Sequence, residues 1–354
     1  MNKSGGCYCF AIPHKMFRKL IAASPDSSAR ARTHMNHAAR LRSQRYAAAP
    51  AAGARDASRE VRLSVFDLAG TEDLPGTLVR SGNGPHANDG AANEAFENAA
   101  IALRFYRDVV GRNSVDGCGM AIDSAVHFGE GFPNAFWSGS QMIYGDGNEH
   151  VGGFTRALDL IAHELTHGVT QHLIPKGLGV VKVPPREREF EEQKYALKGQ
   201  AGALNESLSD VFGCMVKQWH AGQTVDKADW LIGKGVVREP FGFAIRSLKS
   251  PGDRRLTWCE DEQIRSMDQY EEGCDAHDAA GIPSHAFYRA AMTMGGHSWG
   301  KAGPIWMNGY ASLSANAGFR DAAHATIAVA SEHFGKDSAE ADAVKAAWHE
   351  VKVV

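Results

Sequence analysis

His163-Glu164-Leu165-Thr166-His167 lies inside a run where Leu158, Ile161, Ala162, Leu165 and Val169 recur at helical spacing. That periodicity predicts a buried, rigid helix over 155–172. Residues four apart share a helix face with Cβ atoms ~5–6 Å apart, so the two imidazoles are placed to hold one ion. Neutral imidazole is a good zinc ligand. Glu164 is turned ~100° from His163 and flanks such an ion without binding it, so its carboxylate can accept a proton from water. Taken alone, the pentapeptide also fits a helix with two satisfied histidines and a surface glutamate.

A second helical run, the segment 201–220, contains Gly202-Ala203-Leu204-Asn205-Glu206-Ser207-Leu208-Ser209-Asp210, whose Glu206 lies thirty-nine residues past His167. Hydrolytic zinc sites use three protein ligands and keep one position open, and a carboxylate from a neighbouring helix suits the third place. Glu206 is the candidate. Asp210, four residues on and on the same face, can accept the outer N–H of a ligand histidine and fix its tautomer.

Working outward, residues 60–66 alternate like a strand, 70–90 are rich in turn residues, 91–110 read as a helix, and 115–144 suit short strands. Beyond residue 155 helical periodicity dominates, with further helices at 282–294, 303–317, 319–334 and 338–351. An α+β front half followed by a helical back half is the architecture this order implies. At 354 residues, 44% hydrophobic and 22% charged, the chain can build one large core or two adjoining lobes. A net charge of −3 and a pI near 6.6 give no basic field for nucleic acid. No stretch approaches the ~20 apolar residues of a membrane span. Six cysteines are too few for a disulfide scaffold, and none has CxxC spacing. Residues 1–50 hold nine Lys and Arg against Asp26 alone, a net of +8 that leaves −11 for the rest.

With both zinc motifs in view, the chain resembles the thermolysin family of neutral metallopeptidases, and within it the protealysin-like subgroup. Further blocks carry the resemblance from about Leu63 onward: Asn134-Ala135-Phe136-Trp137-Ser138-Gly139, Arg246-Ser247-Leu248, Met267-Asp268-Gln269-Tyr270, and His277 followed by Gly281-Ile282-Pro283-Ser284-His285. The resemblance implies a two-lobe zincin and a zinc endopeptidase acting on peptides and proteins as a monomer. It assigns one Zn2+ to His163, His167 and Glu206, and the general base to Glu164. His277 falls on the oxyanion-stabilising histidine, Asn134 and Ala135 on the edge that binds substrate backbone, and Arg246 on the guanidinium that grips the carbonyl after the scissile bond. Asn205 and Asp210 match partners of the ligand histidines, and Glu272 stands where an acid orients His277, with Asp275 and Asp278 competing. Val151, Phe154, Leu160, Leu231, Ile232 and Ile245 fall at or near the pocket for the residue after the cut, which implies cleavage before large apolar residues. The rival reading is a catalytically silent zinc- or peptide-binding protein.

The resemblance divides the chain into a prosegment and linker (1–50), an N-terminal α+β lobe ending in the zinc helix (51–168) and a helical C-terminal lobe (169–354). Cys9-Phe10-Ala11-Ile12-Pro13-His14-Lys15-Met16 resembles a short prosegment covering the cleft of a self-processing precursor, with Cys9 or His14 as further reaches toward zinc. An Arg-, Ala- and Ser-rich transit peptide is the other reading of that end. Residues 22–59 read as a linker with no core of its own, open to self-cleavage between Arg40 and Arg59. The family pattern breaks at 174–194, a charged insertion that makes the stretch between the zinc motifs roughly twice its usual length. That insertion reads as a solvated loop or a lid. It also puts Leu197 where a tyrosine is usual, with Tyr195 as a substitute only if the loop bulges. The place of a calcium site holds Asp159 and Asp229 together with Lys217, Leu231 and Lys234, so calcium is expected to be lost. Because Pro13, His14, Lys15, Arg18 and Lys19 interrupt any apolar leader, the expectation is no ordinary signal peptide and a cytoplasmic protein, or one exported by a non-classical route.

Overall fold

The structure, a computed structural model, describes residues 10–22, 25–47, 60–174 and 177–354. Two N-terminal helices, α1 (His14–Ala22) and α2 (Pro25–Ala47), precede the enzyme proper. Strand β1 (Leu63–Asp67) pairs antiparallel with β2 (Thr77–Ser81) and parallel with β3 (Ile122–Val126). Beyond helix α3 (Gly90–Asp108) and β3, strands β4 (Ala135–Trp137) and β5 (Gln141–Tyr144) complete a five-stranded sheet of order β2-β1-β3-β5-β4. β4 is therefore an edge, and its free backbone groups offer a template for a further extended segment.

Helix α4 (Leu158–Leu173) crosses behind that edge, and the hairpin β6 (Val180–Lys182) and β7 (Tyr195–Leu197) leads into α5 (Gly199–His220). The two-residue strands β8 (Leu231–Ile232) and β9 (Arg246–Ser247) then pair. Helices α6 (Ala276–Ala279), α7 (Gly281–Met294), α8 (Ala302–Ala311), α9 (Phe319–Phe334) and α10 (Ala339–Glu350) form the C-terminal lobe around Trp306 and Trp348, whose buried rings stack at 6.0 Å. This is the mixed-sheet lobe and helical lobe of the two-lobe α+β zincin expectation.

Three differences have physical causes. The strand β2 lies inside the turn-rich stretch 70–90, because its short Thr-Leu-Val-Arg-Ser run is bracketed by Pro75-Gly76 and Gly82. The zinc helix continues to Leu173, past the lobe boundary expected at 168. The supposed coreless linker contains α2, which buries Met35, Ala38, Ala39 and Arg42 at helical spacing. Small alanines carry that stripe, so composition read it as linker. Residues 40–47 of the expected processing stretch lie in α2, while Cys9, the rest of that stretch (48–59) and the lobe boundary at 50 lie outside the described residues. Among the described residues, no helix is long and apolar enough to cross a membrane.

Candidate metal and peptide-hydrolysis centre

α4 and α5 come together because α5 offers a glycine at their contact. A Cβ on Gly213 would stand 2.4 Å from Asp159 O and 3.5 Å from His163 Cβ, so any side chain there would push the helices apart. On α4, Gly168 similarly makes room for Trp137 of β4, where a Cβ would lie 3.2 Å from the indole. These two approaches carry Glu206 to the histidines and bring the sheet edge to Glu164.

His163, His167 and Glu206 are fully buried, and their ligand atoms converge. His163 Nε2 and His167 Nε2 are 3.2 Å apart, and Glu206 Oε2 lies 3.5 Å from the first and 3.6 Å from the second. Ligands bonded at ~2.0–2.2 Å to a tetrahedral ion stand roughly 3.3–3.5 Å from one another, so this triangle has the size of a zinc face. Grouping His163, Glu164 and His167 as the ligand set requires separations of up to 4.8 Å. Glu206 Oε2 is within 3.6 Å of both rings, and one Glu164 oxygen is taken up by Trp137 N.

The outer ring nitrogens are fixed by α5. His163 Nδ1 lies 2.8 Å from Asp210 Oδ1, and His167 Nδ1 lies 2.9 Å from Asn205 Oδ1. Asn205 is itself oriented, since its amide donates to Leu178 O at 2.8 Å. With their protons on Nδ1, both rings turn a lone pair inward from Nε2. Ser209 Oγ, 3.1 Å from His167 Nδ1, is a partner the sequence reading missed; Ser209 adjoins Asp210, and helical phase from Asn205 is the signal that would have found it. Asp210 also takes both Nε and Nη2 of Arg246 at 2.8 Å each, so one buried carboxylate ties the ligand histidine to the guanidinium. Burial raises the Asp210 carboxyl, but Arg246 and His163 outweigh it and bring it to about 2. Burial acts the same way on Glu206, and His277 and His167 hold it well below the carboxylate range.

Glu164 is different. Its Oε2 accepts Trp137 N at 2.9 Å, while Oε1 is buried with no hydrogen-bond partner among the described residues. Burial raises its pKa, against the pull of His167, His163 and Arg42. A buried carboxylate with one oxygen fixed and one open is suited to take up a proton. His277 enters from α6, with Nε2 3.3 Å from Glu206 Oε2. Its Nδ1 lies 3.4 Å from Asp275 Oδ1, and Asp275 also accepts His277 N at 2.9 Å as the cap of that helix. Asp275, two residues upstream, therefore replaces Glu272 as the acid paired with His277; a cap position reaches back to its own helix, whereas Glu272 sits in the preceding turn. Tyr195 and Leu197 lie in regular β6–β7 register, Lys182 opposite Tyr195 and Val180 opposite Leu197, so no bulge shifts Tyr195 into the place of Leu197.

The N-terminal segment occupies the groove beside this centre. Ala11 N donates to Ala135 O at 3.1 Å, Ile12 N donates to Asn134 Oδ1 at 2.9 Å, and Asn134 Nδ2 donates to Ile12 O at 3.3 Å. Arg246 Nη1 reaches Ala11 O at 3.4 Å. Phe10 packs edge-on against Phe136 with centroids 5.4 Å apart, beneath the Arg42 guanidinium at 4.7 Å. His14 lies 3.1 Å from Glu189 of the insertion, so its imidazole is engaged there and not as a zinc ligand. At the place the resemblance gives to calcium, Lys217 Nζ stands 3.1 Å from Asp159 Oδ2 and 3.0 Å from Asp229 Oδ1.

The family model described as the catalytic domain of thermolysin metallopeptidases matches residues 43–171, and the one described as their alpha-helical domain matches 194–353. The stretch between the two matches falls on the insertion. A protein named "Extracellular metalloprotease" from Pectobacterium carotovorum subsp. carotovorum is 39% identical over 305 residues, 83% of this chain and 82% of that one. A thermolysin of Alicyclobacillus acidocaldarius is 30% identical over 84% of this chain, which spans about half that protein's length (52%). Among solved structures, the precursor of protealysin, a metalloproteinase from Serratia proteamaculans, superposes with a TM-score of 0.73 at 38% identity, covering 83% of this chain and 88% of that one. The relative named as extracellular overturns the expectation of a cytoplasmic protein and points to secretion.

Proposed function

The chain belongs to the thermolysin family of metallopeptidases and is a zinc metalloendopeptidase, and from that premise we propose which of its residues do the chemistry. His163, His167 and Glu206 hold the ion. The observation that carries this assignment is the 3.2–3.6 Å triangle of two Nε2 atoms and one carboxylate oxygen, with each outer Nδ1 fixed by α5. Bound there, zinc supplies Lewis-acid polarisation of the peptide carbonyl and acidifies water.

Every other step uses the chain's own groups. Glu164 Oε1 takes the proton of the attacking water and delivers it to the leaving amine. His277, held by Asp275, donates from Nε2 toward the negative charge that develops on the carbonyl oxygen. Asn134 and Ala135 hold the substrate backbone against edge strand β4, and Arg246, braced by Asp210, grips the carbonyl after the cut. The support is the N-terminal segment itself, which is bound by these same atoms. In that register Ala11 stands where the residue after the cut would stand. The resemblance puts the pocket for that residue at or near Phe154, Leu160 and Ile232, all buried and apolar, and a side chain as small as that of Ala11 leaves such a pocket unfilled, so the segment binds through its backbone yet is a poor substrate. Residues 10–47 thus act as an inhibitory prosegment, removed by self-processing, and the mature enzyme prefers large apolar residues after the cut.

The calcium-like place is filled by the Lys217 ammonium between Asp159 and Asp229, with Gly233 N also donating to Asp159 at 3.1 Å. Burial lowers the amine, but the two carboxylates outweigh it and raise its pKa, so the lysine is a fixed cation. Calcium needs six to eight oxygens and gains nothing beside it.

Casein hydrolysis tests the reading. A zinc chelator should abolish it and added zinc restore it, whereas a calcium-selective chelator should leave rate and melting temperature unchanged. Hydrolysis that persists after zinc is stripped would refute it.

A further inference from the structure

The stretch between the two family matches is exposed at 184–187 but is more than a solvated loop. It folds back as the β6–β7 hairpin with Phe190 and Gln193 buried, and it holds the N-terminal helices at several points. Glu189 accepts Arg18 Nε at 2.8 Å and Nη2 at 2.5 Å, with His14 Nε2 3.1 Å away. Burial raises the Glu189 carboxyl, but hydrogen bonds from His14 and Arg18 outweigh it, and its pKa falls to about 2. Phe190 meets the His14 ring edge-on at 6.0 Å. Further along, Glu192 N donates to Asn36 Oδ1 at 3.0 Å; Ser43 Oγ donates to Glu192 O at 2.8 Å and accepts Lys194 N at 3.0 Å. A cavity of about 410 Å³, lined by His14, Phe17, Arg18, Asn36, Glu189 and Phe190, runs along the seam and belongs to it.

The neighbouring face of α1, about 100° round, is held by side chains alone. Lys15 reaches Glu262 and Asp278, and Lys19 reaches Glu260, through side chains about half exposed. Such solvated pairs are each worth little, and Arg18, 57% exposed, is no drier than Lys15 or Lys19, so exposure does not separate the two faces. The insertion offers a bidentate guanidinium–carboxylate pair and directional bonds from its own backbone, which demand one register.

We propose that the 174–194 insertion is a receptor for the prosegment: it anchors α1 and α2 on the enzyme and sets how slowly the prosegment leaves after the connecting chain is cut. The proposal rests on reading residues 10–47 as an inhibitory prosegment. The occupant is this chain's own α1–α2 pair, recognised by Arg18, His14, Asn36 and Ser43.

The test uses the full-length, zinc-loaded chain carrying Glu164→Gln, so that it stays uncut, and follows amide hydrogen exchange along α1 (14–22). Arg18→Glu and Glu189→Arg should each speed exchange there at least about tenfold, with α4 and α5 unchanged. Combining the two restores opposite charges in exchanged places and should bring α1 back to within about threefold of the starting rate. Two single variants with unchanged α1 exchange, or a double variant no slower than the singles, would overturn the receptor while leaving the prosegment reading intact. If the unsubstituted α1 already exchanges like an unstructured peptide, and the uncut wild-type chain hydrolyses casein at the rate of the mature enzyme, the prosegment reading falls and the receptor with it.

Discussion

The proposed zinc centre and the proposed prosegment seam are built from the same bonds, yet they differ in permanence. At the centre, Asp210, Arg246, His163 and Glu206 are at most 2% exposed, and each buried charge faces a buried partner. At the seam, Lys15, Arg18 and Lys19 keep 46–57% of their side chains in water. Removing one partner of a buried pair costs about 3–5 kcal/mol, because the other charge is stranded, whereas an exposed pair is worth about 0–1 kcal/mol. The centre is thus locked for the life of the fold, and the seam is strong only as a sum of small terms. A prosegment has to be held and later released, and the second kind of construction permits both.

The sharpest way to break this contrast is at Asp210. Asp210→Ala leaves Arg246 buried without its carboxylate and frees the His163 ring, so we expect folding stability to fall by about 3–5 kcal/mol and zinc affinity by about 10–100-fold. Denaturant unfolding and metal titration read the two effects; a change below 1 kcal/mol would make the centre no more locked than the seam.

Lys217 lies between these extremes, 22% exposed and paired with a buried Asp159 and a half-buried Asp229. Lys217→Ala should destabilise by about 2–4 kcal/mol. A melting temperature that instead falls on calcium removal from the wild-type protein would show the ion still bound there.

The smallest effect is expected at the seam. Glu189 titrates at about 2 when docked, against an ordinary 4.5, so its contribution is fully present above about pH 4.5 and is lost as pH falls toward 2. After correction for intrinsic exchange, opening of α1 should rise over that window, and Glu189→Gln should flatten the rise. An unchanged slope in the variant would remove Glu189 as the source.

Much of the centre was legible because its parts follow helical arithmetic: the His163–His167 spacing, and Asn205, Glu206 and Asp210 on one turn and a half of α5. Roles that depend on where a turn points were not legible. Glu272 and Asp275 are both acids just upstream of His277, and only the path of the chain into α6 selects Asp275. In the front half, β2 was hidden among turn residues. Residues 25–47, within the stretch read as linker, form α2, which docks through alanines and polar atoms, Asn36, Arg42 and Ser43, that composition scores as coreless. The insertion read as a solvated loop or a lid because the bond that ties Glu189 to Arg18 spans 171 residues of sequence, and no local pattern shows it.

The most direct measurement is zinc content, casein hydrolysis and chain length of one protein, Glu164→Gln. Its three ligand atoms are untouched and only the open carboxylate oxygen is lost, so the account predicts about one zinc per chain, hydrolysis lower by roughly 10²–10⁴-fold, and a chain that stays full length while the wild type is shortened between Arg40 and Arg59. A Glu164→Gln protein that holds one zinc and hydrolyses casein at the wild-type rate would contradict it.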